Sequence, residues 1–271
     1  MIETNKIDNA LVGGLRFKGE FKQSSPNAPL VTIITATFNA ATYLPKTIQS
    51  IRELTYKNIE WIVIDGNSTD QSVELIKQNQ DVIDYWVSEP DGGIYDAWNK
   101  GVAQAKGEWI AFLGAGDEYT PESITEYIYA INLFGDELEF ISSQVHTVDG
   151  SGRILRTWGD PFTWTQHKKY MTIAHVGALH RKRLFEIHGQ FDTAFKSSAD
   201  YDFFIRCGEN LKTHYLKQVT AWMLKGGVSS GYGGIYETYL IQKKNSPAAS
   251  TRIRYWIACA KRFARSLLSG Y

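Results

Sequence analysis

The chain has 271 residues, of which 43% are hydrophobic and 13% aromatic; that is enough for one large domain with a sizeable core and excludes a disordered chain. Lys plus Arg equals Asp plus Glu at 29 each, so the net charge is zero and gives no support to a nucleic-acid partner. Cys207 and Cys259 lie far apart without metal-ligand spacing, and no apolar run approaches the ~20 residues that span a bilayer. The first residues, "MIETNKIDNA", lack the apolar core of a signal peptide, so a reduced, cytoplasmic setting is expected.

Residues 1–29 are polar, carry "SSPNAP" before the first strong strand, and read as an N-terminal extension. "LVTIITATF" is a β-branched run, the pattern of a buried strand. "AATYLPKTIQSIREL" follows with helical spacing of Leu44, Ile48, Ile51 and Leu54. "IEWIVIDG" is a second buried strand, and "STDQSVELIKQN" a second helix with Ser68, Thr69 or Asp70 as its cap. "IDYWVSEP" predicts a third strand, "IYDAWNKGVAQAKG" a third helix ended by Gly107, and "EWIAFLGAGD" a fourth strand. Four strand–helix alternations with short loops predict a parallel sheet with helices on both faces. Trp86, Trp98 and Trp109 fall within these elements and read as core.

After Asp117 the rhythm changes. "SITEYIYAINLF" predicts a helix, and "LEFISSQVHTV" and "RILRTW" predict strands joined by the turn "DGSG". "KRLFEIHGQFD" reads as a helical turn, "SADYDFFIRCGEN" as a helix and "THYLKQVTAWMLK" as a strand. "GGVSSGYGG" (226–234) reads as a flexible loop that closes over a ligand or as a plain surface loop. The tail places Ile253, Ile257, Ala260 and Ala264 on one helical face, with Arg252, Arg254, Lys261, Arg262 and Arg265 nearby. Three readings stay open for it: a helix on a membrane surface, a helix docked on the domain, or an oligomer contact.

In an open α/β sheet, ligands bind beyond the carboxyl ends of the strands. Thr37-Phe38-Asn39, Asp65-Gly66-Asn67, Glu89 to Gly93 and Gly114 to Asp117 all fall there. Singly, each group fits a turn or a helix cap; together they predict a binding crevice. No loop has the glycine and lysine spacing of a phosphate cradle or a dinucleotide fingerprint, which disfavours an NTPase or a nicotinamide enzyme. Carboxylates beside a phosphate need a divalent cation between them, and oxygen ligands suit Mg²⁺ or Mn²⁺.

In this order, "VTIITATFNAATYLPKTIQSI", "WIVIDGNSTDQS", "SEPDGGIYDAWNKGVAQAKGEWIAFLGAGD" and "SADYDFFIRC" resemble the family-2 glycosyltransferases of the GT-A fold. The nearest likeness is to bacterial exopolysaccharide and colanic-acid type enzymes. It spans roughly residues 30–230. The resemblance implies a Rossmann-like, mostly parallel α/β sheet flanked by helices, with a smaller mixed region on the acceptor side and a C-terminal helix. The implied organisation is an extension over 1–29, a transferase domain over 30–235 and a helical tail over 236–271. Within the domain, 30–120 would bind the nucleotide sugar and 121–235 the acceptor.

The resemblance further implies inverting transfer of a sugar from a nucleotide-sugar donor, UDP-linked in most relatives, to a hydroxyl of a saccharide or lipid-linked saccharide. Thr37 and Asn39 match the nucleotide-contacting loop, Asp65 the acid that pairs with the base, and Asp91, Gly92 and Gly93 the loop near ribose and diphosphate. Asp117 matches the last acid of the metal motif, and Asp200 the general base. Asp202 orients the helix or contacts acceptor. Many relatives carry two acids in the metal motif, whereas "GAGD" has one, so a Mn²⁺ or Mg²⁺ ion would be weakly held or dispensable. His175 or His180 is either a further ligand or a core residue, and Lys100, Arg181 and Lys225 are candidate cations for the leaving group. Trp158, Trp164 and Tyr170 are candidates to stack on acceptor sugars. The expected location is cytoplasmic, with peripheral contact at the inner membrane face through the basic tail. The rival readings are a nucleotidyltransferase, which lacks its phosphate loop here, and a non-catalytic carbohydrate-binding or scaffold protein.

Overall fold

The computed structural model of the chain describes residues 5–7, 10–227, 232–245 and 249–268. Two short strands come first, β1 (Asn5–Ile7) and β2 (Ala10–Gly13). The β-branched runs then form β3 (Val31–Thr37), β4 (Ile59–Asp65), β5 (Tyr85–Ser88) and β6 (Trp109–Phe112). Between them lie α1 (Leu44–Glu53), with Pro45 in its first turn, α2 (Ser72–Gln78) and α3 (Ile94–Gln104). The second half holds β7 (Glu118–Tyr119), α4 (Ser123–Phe134), β8 (Phe140–Val148), β9 (Ile154–Trp158) and α5 (Trp164–His167). There follow β10 (Ala178–Arg181), α6 (Arg183–His188), α7 (Ala199–Cys207), β11 (Thr213–Leu224), α8 (Tyr232–Asn245) and α9 (Ala249–Leu268).

Among the described residues, eleven strands form one mixed sheet in the order β1-β2-β5-β4-β3-β6-β10-β8-β11-β7, with β9 on β8. Strands β5, β4, β3 and β6 run parallel. Strand β10 lies antiparallel between β6 and β8. The parallel strands are buried on both faces because their side chains alternate between two cores. Val31, Ile33, Trp61 and Val63 pack against Leu44, Ile48 and Ile51 of α1 and Ile124 and Tyr127 of α4. Ile34, Ile62, Ile64 and Phe112 face the other way, against Trp98 and Val102 of α3 and Phe203 and Phe204 of α7. Helix α3 lies close to the sheet, since a Cβ on Gly101 would fall 2.3 Å from Ile34 Cγ2.

The N-terminal segment, expected as a polar extension, adds to the sheet edge: β2 pairs antiparallel with β5, and β1 with β2. Its following stretch straps across the sheet through two buried acids. Arg16 Nη2 lies 2.5 Å from Glu60 Oε1 and donates to the Gln104 carbonyl at 2.9 Å. The other Glu60 oxygen accepts from Thr32 Oγ1 at 2.7 Å and the Lys106 amide at 2.8 Å. Lys22 pairs with Asp84 at 2.8 Å, which offsets part of the burial that raises the Asp84 pKa. Of the glycine loop expected over 226–234, residues 228–231, Gly231 among them, lie outside the described residues, and 232–234 begin α8.

Removing one partner of a buried ion pair leaves the other charge without compensation. Arg16 and Glu60 side chains are 9% and 2% exposed, so Arg16→Ala is expected to cost about 3–5 kcal/mol in a urea unfolding titration. A loss under about 1 kcal/mol, the size of a surface pair, would contradict this role.

Candidate active site

Parallel pairing puts the carboxyl ends of β3, β4, β5 and β6 on one edge of the sheet. The register aligns Thr37 with Asp65 and Asp65 with Ser88 in one row, and Ile34 with Phe112 beside it. Thr37, Asp65, Asp91, Gly92, Gly93 and Asp117 therefore enter loops on that edge, as their spacing predicts. The Thr37 hydroxyl is buried there and has no hydrogen-bond partner among the described residues.

Asp65 is fully buried. Its Oδ1 accepts from Ser68 Oγ at 2.5 Å, and its Oδ2 from the Ser68 amide at 2.9 Å and Ser88 Oγ at 2.7 Å. The carboxylate thus fixes the loop that follows β4. That loop is laced to the loop after β3. The Asn39 amide donates to Ser68 Oγ at 2.8 Å, the Thr69 amide to Asn39 Oδ1 at 2.9 Å, and the Ala41 amide to Asp70 Oδ2 at 3.0 Å. Asn39 and Asn67 both sit in the left-handed region, at φ 48° and 63°, which Asn tolerates best among side-chain-bearing residues. Asn39 is therefore a clasp between two loops. Phe38 beside it is 64% exposed.

Asp91 leans against Gly66, where a Cβ would lie 2.7 Å from Asp91 Oδ2. Burial raises the Asp91 pKa, while the Gly93 amide, donating at 2.8 Å, and Lys100 act against the rise. The Gly92 amide donates to Asp96 Oδ2 at 2.8 Å, so both glycine amides serve the loop's own acids. Lys100 Nζ lies 2.8 Å from Glu89 and 3.7 Å from Asp96, which neutralises part of this acidic cluster.

Asp117 Oδ1 accepts from the Leu224 amide of β11 at 2.8 Å. Burial pushes its carboxyl up to about 7, with the Leu224 and Gly114 amides opposing the rise. Thr47 of α1 shapes the same turn, donating to the Asp117 carbonyl at 2.8 Å and accepting from the Gly116 amide at 2.8 Å. Asp200 stands at the start of α7. Its Oδ1 accepts from Tyr95 Oη of α3 and from the Tyr201 amide, both at 2.9 Å. Burial pushes its carboxyl up to about 6, against the lowering hydrogen bond from Tyr95. Tyr95 lies two residues after Gly93, so this contact joins α7 to the donor-side loop. Lys196 makes a second tie, donating from Nζ to the Gly92 carbonyl at 3.0 Å.

Asp202 is placed differently. It is buried, and its Oδ2 accepts from Arg206 Nε at 2.9 Å. Arg206 also donates to the carbonyls of His188 and Gln190, so the pair braces α7 against the turn after α6. Of the two roles open to Asp202, this contact serves to orient the helix. The histidines raised as ligands belong to an aromatic core. His180 is fully buried among Phe112, Phe140 and Phe204, and its Nδ1 lies 3.2 Å from the Ile110 carbonyl. His175 stacks on Phe112 at 5.2 Å, and burial pushes it down to about 3. Arg181 pairs with Asp136 and aligns with Trp109, at the amino end of β6, far from the ligand edge. Trp158 donates from Nε1 to Thr147 Oγ1 and lies under the Arg156 guanidinium, while Tyr170 is exposed.

Among the described residues, no three His, Cys, Asp or Glu side chains cluster to hold a metal. Asp117 offers one carboxylate, so the described residues form no metal cage by themselves. Mg²⁺ and Mn²⁺ are commonly held by one or two carboxylates plus substrate phosphates, and the single acid fits that pattern only in part. A cavity of about 300 Å³ opens between β2, β5 and α3, lined by Val12 and Tyr85 and bordering the acidic cluster through Glu89 and Lys100. Sequence reasoning missed Tyr95, Lys196 and Glu237, whose carboxylate accepts from the Lys196 and Ser197 amides. Their partners lie 40 to 105 positions away, and no local pattern marks them.

The model of the glycosyl transferase family 2 matches residues 32–189. An uncharacterised glycosyltransferase of Mycobacterium tuberculosis is 31% identical over 185 residues, 66% of this chain and 69% of that protein. A PGL/p-HBAD biosynthesis glycosyltransferase of Mycobacterium bovis is 30% identical over 201 residues, 72% of this chain and 76% of its own. Staphylococcus aureus TarS, solved with UDP-GlcNAc, superposes with TM-score 0.62 at 16% identity over 81% of this chain and 68% of that one. The mannosyltransferase PcManGT of Pyrobaculum calidifontis, solved with GDP-Man and Mn²⁺, superposes with TM-score 0.60 at 14% identity over 95% and 81%. These two share the fold, a GT-A arrangement of a mixed sheet flanked by helices. The family match spans more than half of the chain, and this protein belongs to glycosyl transferase family 2 and is a glycosyltransferase.

Proposed function

We propose that the enzyme moves a sugar, with inversion, from a nucleoside diphosphate donor to a hydroxyl of a saccharide or lipid-linked saccharide, and that Asp200 is the base. The observation that carries this reading is the Tyr95–Asp200 hydrogen bond, which ties a raised carboxyl to the loop of Asp91, Gly92 and Gly93. The acceptor oxygen attacks the anomeric carbon and its proton passes to Asp200. The bond from that carbon to the diphosphate breaks, and the leaving group takes the electron pair. A base with a pKa near 6 is ionised at neutral pH and still basic enough to help, and such help is typically worth ~10²–10⁴ in rate. A divalent cation, held by Asp117 and the donor's phosphates, would supply positive charge for the leaving group.

Thr37, Phe38 and the clasped loops of Asn39 and Asp65 form the nucleotide end in this reading. The likeness to TarS and PcManGT supports a UDP- or GDP-linked donor. The Mycobacterium bovis relative is by name a PGL/p-HBAD biosynthesis glycosyltransferase, so the exopolysaccharide type is not singled out and the acceptor is kept as a saccharide or lipid-linked saccharide. In this reading the donor itself brings the cation, because one half-buried carboxylate is a poor cage.

Activity requires ionised Asp200, so turnover should be lost as the pH falls through about 6. Tyr95→Phe removes a hydrogen bond that lowers this pKa, so the acidic limb should move to higher pH. Asp200→Asn should lower kcat/KM by ~10²–10⁴ with donor binding kept, whereas Asp202→Asn should lower the melting temperature and leave the limb in place. An unmoved limb in Tyr95→Phe would remove Asp200 from the chemistry.

A thermal-shift screen tests the donor end. A UDP- or GDP-sugar should raise the melting temperature of the wild type, and Asp65→Ala should abolish the rise by freeing the loop. An equal rise in the variant would take Asp65 out of the donor site.

A further inference from the structure

Helix α9 docks against α8 in an unusual sense. A helix on a globular domain normally buries its apolar stripe and shows water its polar side. Here the contact side holds Thr251, Tyr255 and Arg262. Thr251 is 2% exposed, the Tyr255 ring lies 4.9 Å from that of Tyr239, and the Arg262 guanidinium sits 5.0 Å over Tyr232. The helical repeat sends Ile253, Trp256, Ile257 and Ala260 to the opposite side. Ile253, Trp256 and Ile257 are 59%, 66% and 48% exposed. The face read from the sequence therefore looks away from the protein, and Trp256 joins it.

Charge selects what would cover this face. Arg252 borders it on one side and Lys261 on the other, while Arg254 turns back to Ser250 Oγ at 3.1 Å and Thr251 Oγ1 at 3.0 Å. From residue 238 onward the chain holds seven Lys and Arg and no Asp or Glu. The whole chain balances 29 against 29, so residues 1–237 carry 22 basic against 29 acidic side chains. Positive charge is thus concentrated around the exposed apolar stripe. Two copies meeting through this face would bring like charges together, which disfavours a dimer. An anionic lipid surface offers both an apolar phase and negative charge. No described helix is long and apolar enough to cross a membrane, so α9 would lie in the interfacial plane.

We infer that α9 docks the enzyme on an anionic bilayer by sinking Ile253, Trp256 and Ile257 among the acyl chains while the exposed Arg252 and Lys261 meet phospholipid headgroups. Helix α8 carries this anchor to the site. Glu237 Oε1 accepts from the Lys196 amide at 2.8 Å, and Oε2 from the Ser197 amide at 2.9 Å, just before Asp200. Ser198 Oγ donates to the Gly234 carbonyl at 3.3 Å. The lipid surface is held beside the segment that leads into α7. Resting on the transfer reading, this is the side from which a lipid-linked acceptor would reach Asp200.

The anchor itself is tested without any sugar. The full chain is floated with vesicles of phosphatidylcholine alone or mixed with phosphatidylglycerol. Binding to the mixed vesicles should be at least about tenfold tighter and should weaken in high salt. Trp256→Glu with Ile257→Glu should lose at least about tenfold of it while keeping the wild-type melting temperature. Arg252→Glu with Lys261→Glu should weaken binding to the mixed vesicles only. Absence of vesicle binding, equal binding to both compositions, or unchanged binding by the Trp256→Glu/Ile257→Glu variant would overturn the proposal. So would light scattering that finds a dimer which this variant splits. Loss of transfer with vesicle binding intact would count against the transferase reading and leave the anchor standing.

Discussion

The site depends on the parallel register of four neighbouring strands. Because β3, β4, β5 and β6 point the same way, each delivers its following loop to one edge, and the ladder sets Thr37, Asp65 and Ser88 in a row. A one-residue slip would turn Asp65 from its place and send every side chain of β4 to the opposite core. The cores on the two faces hold that register through alternate side chains, Ile33 and Trp61 on one side, Ile34 and Ile62 on the other. Packing thus fixes the chemistry, and the acidic loops are passengers of the sheet.

The second half of the chain completes the edge by a few long-range polar contacts. Leu224 of β11 supplies an amide to Asp117, Tyr95 of α3 supplies a hydroxyl to Asp200, and Lys196 bridges to Gly92. Two carboxyls, Asp117 and Asp200, are held where burial penalises their ionised form. Their pKa values are raised above those of the unfolded chain, so the folded state binds these protons more tightly. Stability from them is fully present below the unfolded carboxylate value of 3.8 and is given up as the pH rises through about 6 and 7. At neutral pH the fold therefore carries them against its own stability, as functional sites often do.

The parallel half was readable because its signals are local. β-Branched runs, helical spacing and glycine punctuation put β3 to β6 and α1 to α3 within a few residues of their places. The antiparallel strands that flank the parallel four were not readable in the same way. "ALVG" and "ALHR" are short and carry no distinctive alternation, and they become β2 and β10 only by pairing with β5, β6 and β8. The N-terminal stretch looked polar because Arg16 and Lys22 are there to meet Glu60 and Asp84, buried partners some 44 and 62 positions on. The acids of the site were legible one by one, but their partners were not. His175 and His180 carry the residue type of a metal ligand, yet six phenylalanines around them decide for the core.

The central claim is geometric: one edge of the sheet holds the donor, and Asp200 faces its anomeric carbon. The most direct measurement is a crystal structure of the enzyme with an unreactive analogue of the nucleotide sugar that stabilises it. The account predicts the nucleotide over the loops of Phe38, Asp65 and Asp91, and the anomeric carbon with room for only an acceptor hydroxyl between it and Asp200, within about 6 Å. A donor seated in the cavity between β2, β5 and α3, or an anomeric carbon more than about 10 Å from Asp200, would contradict it.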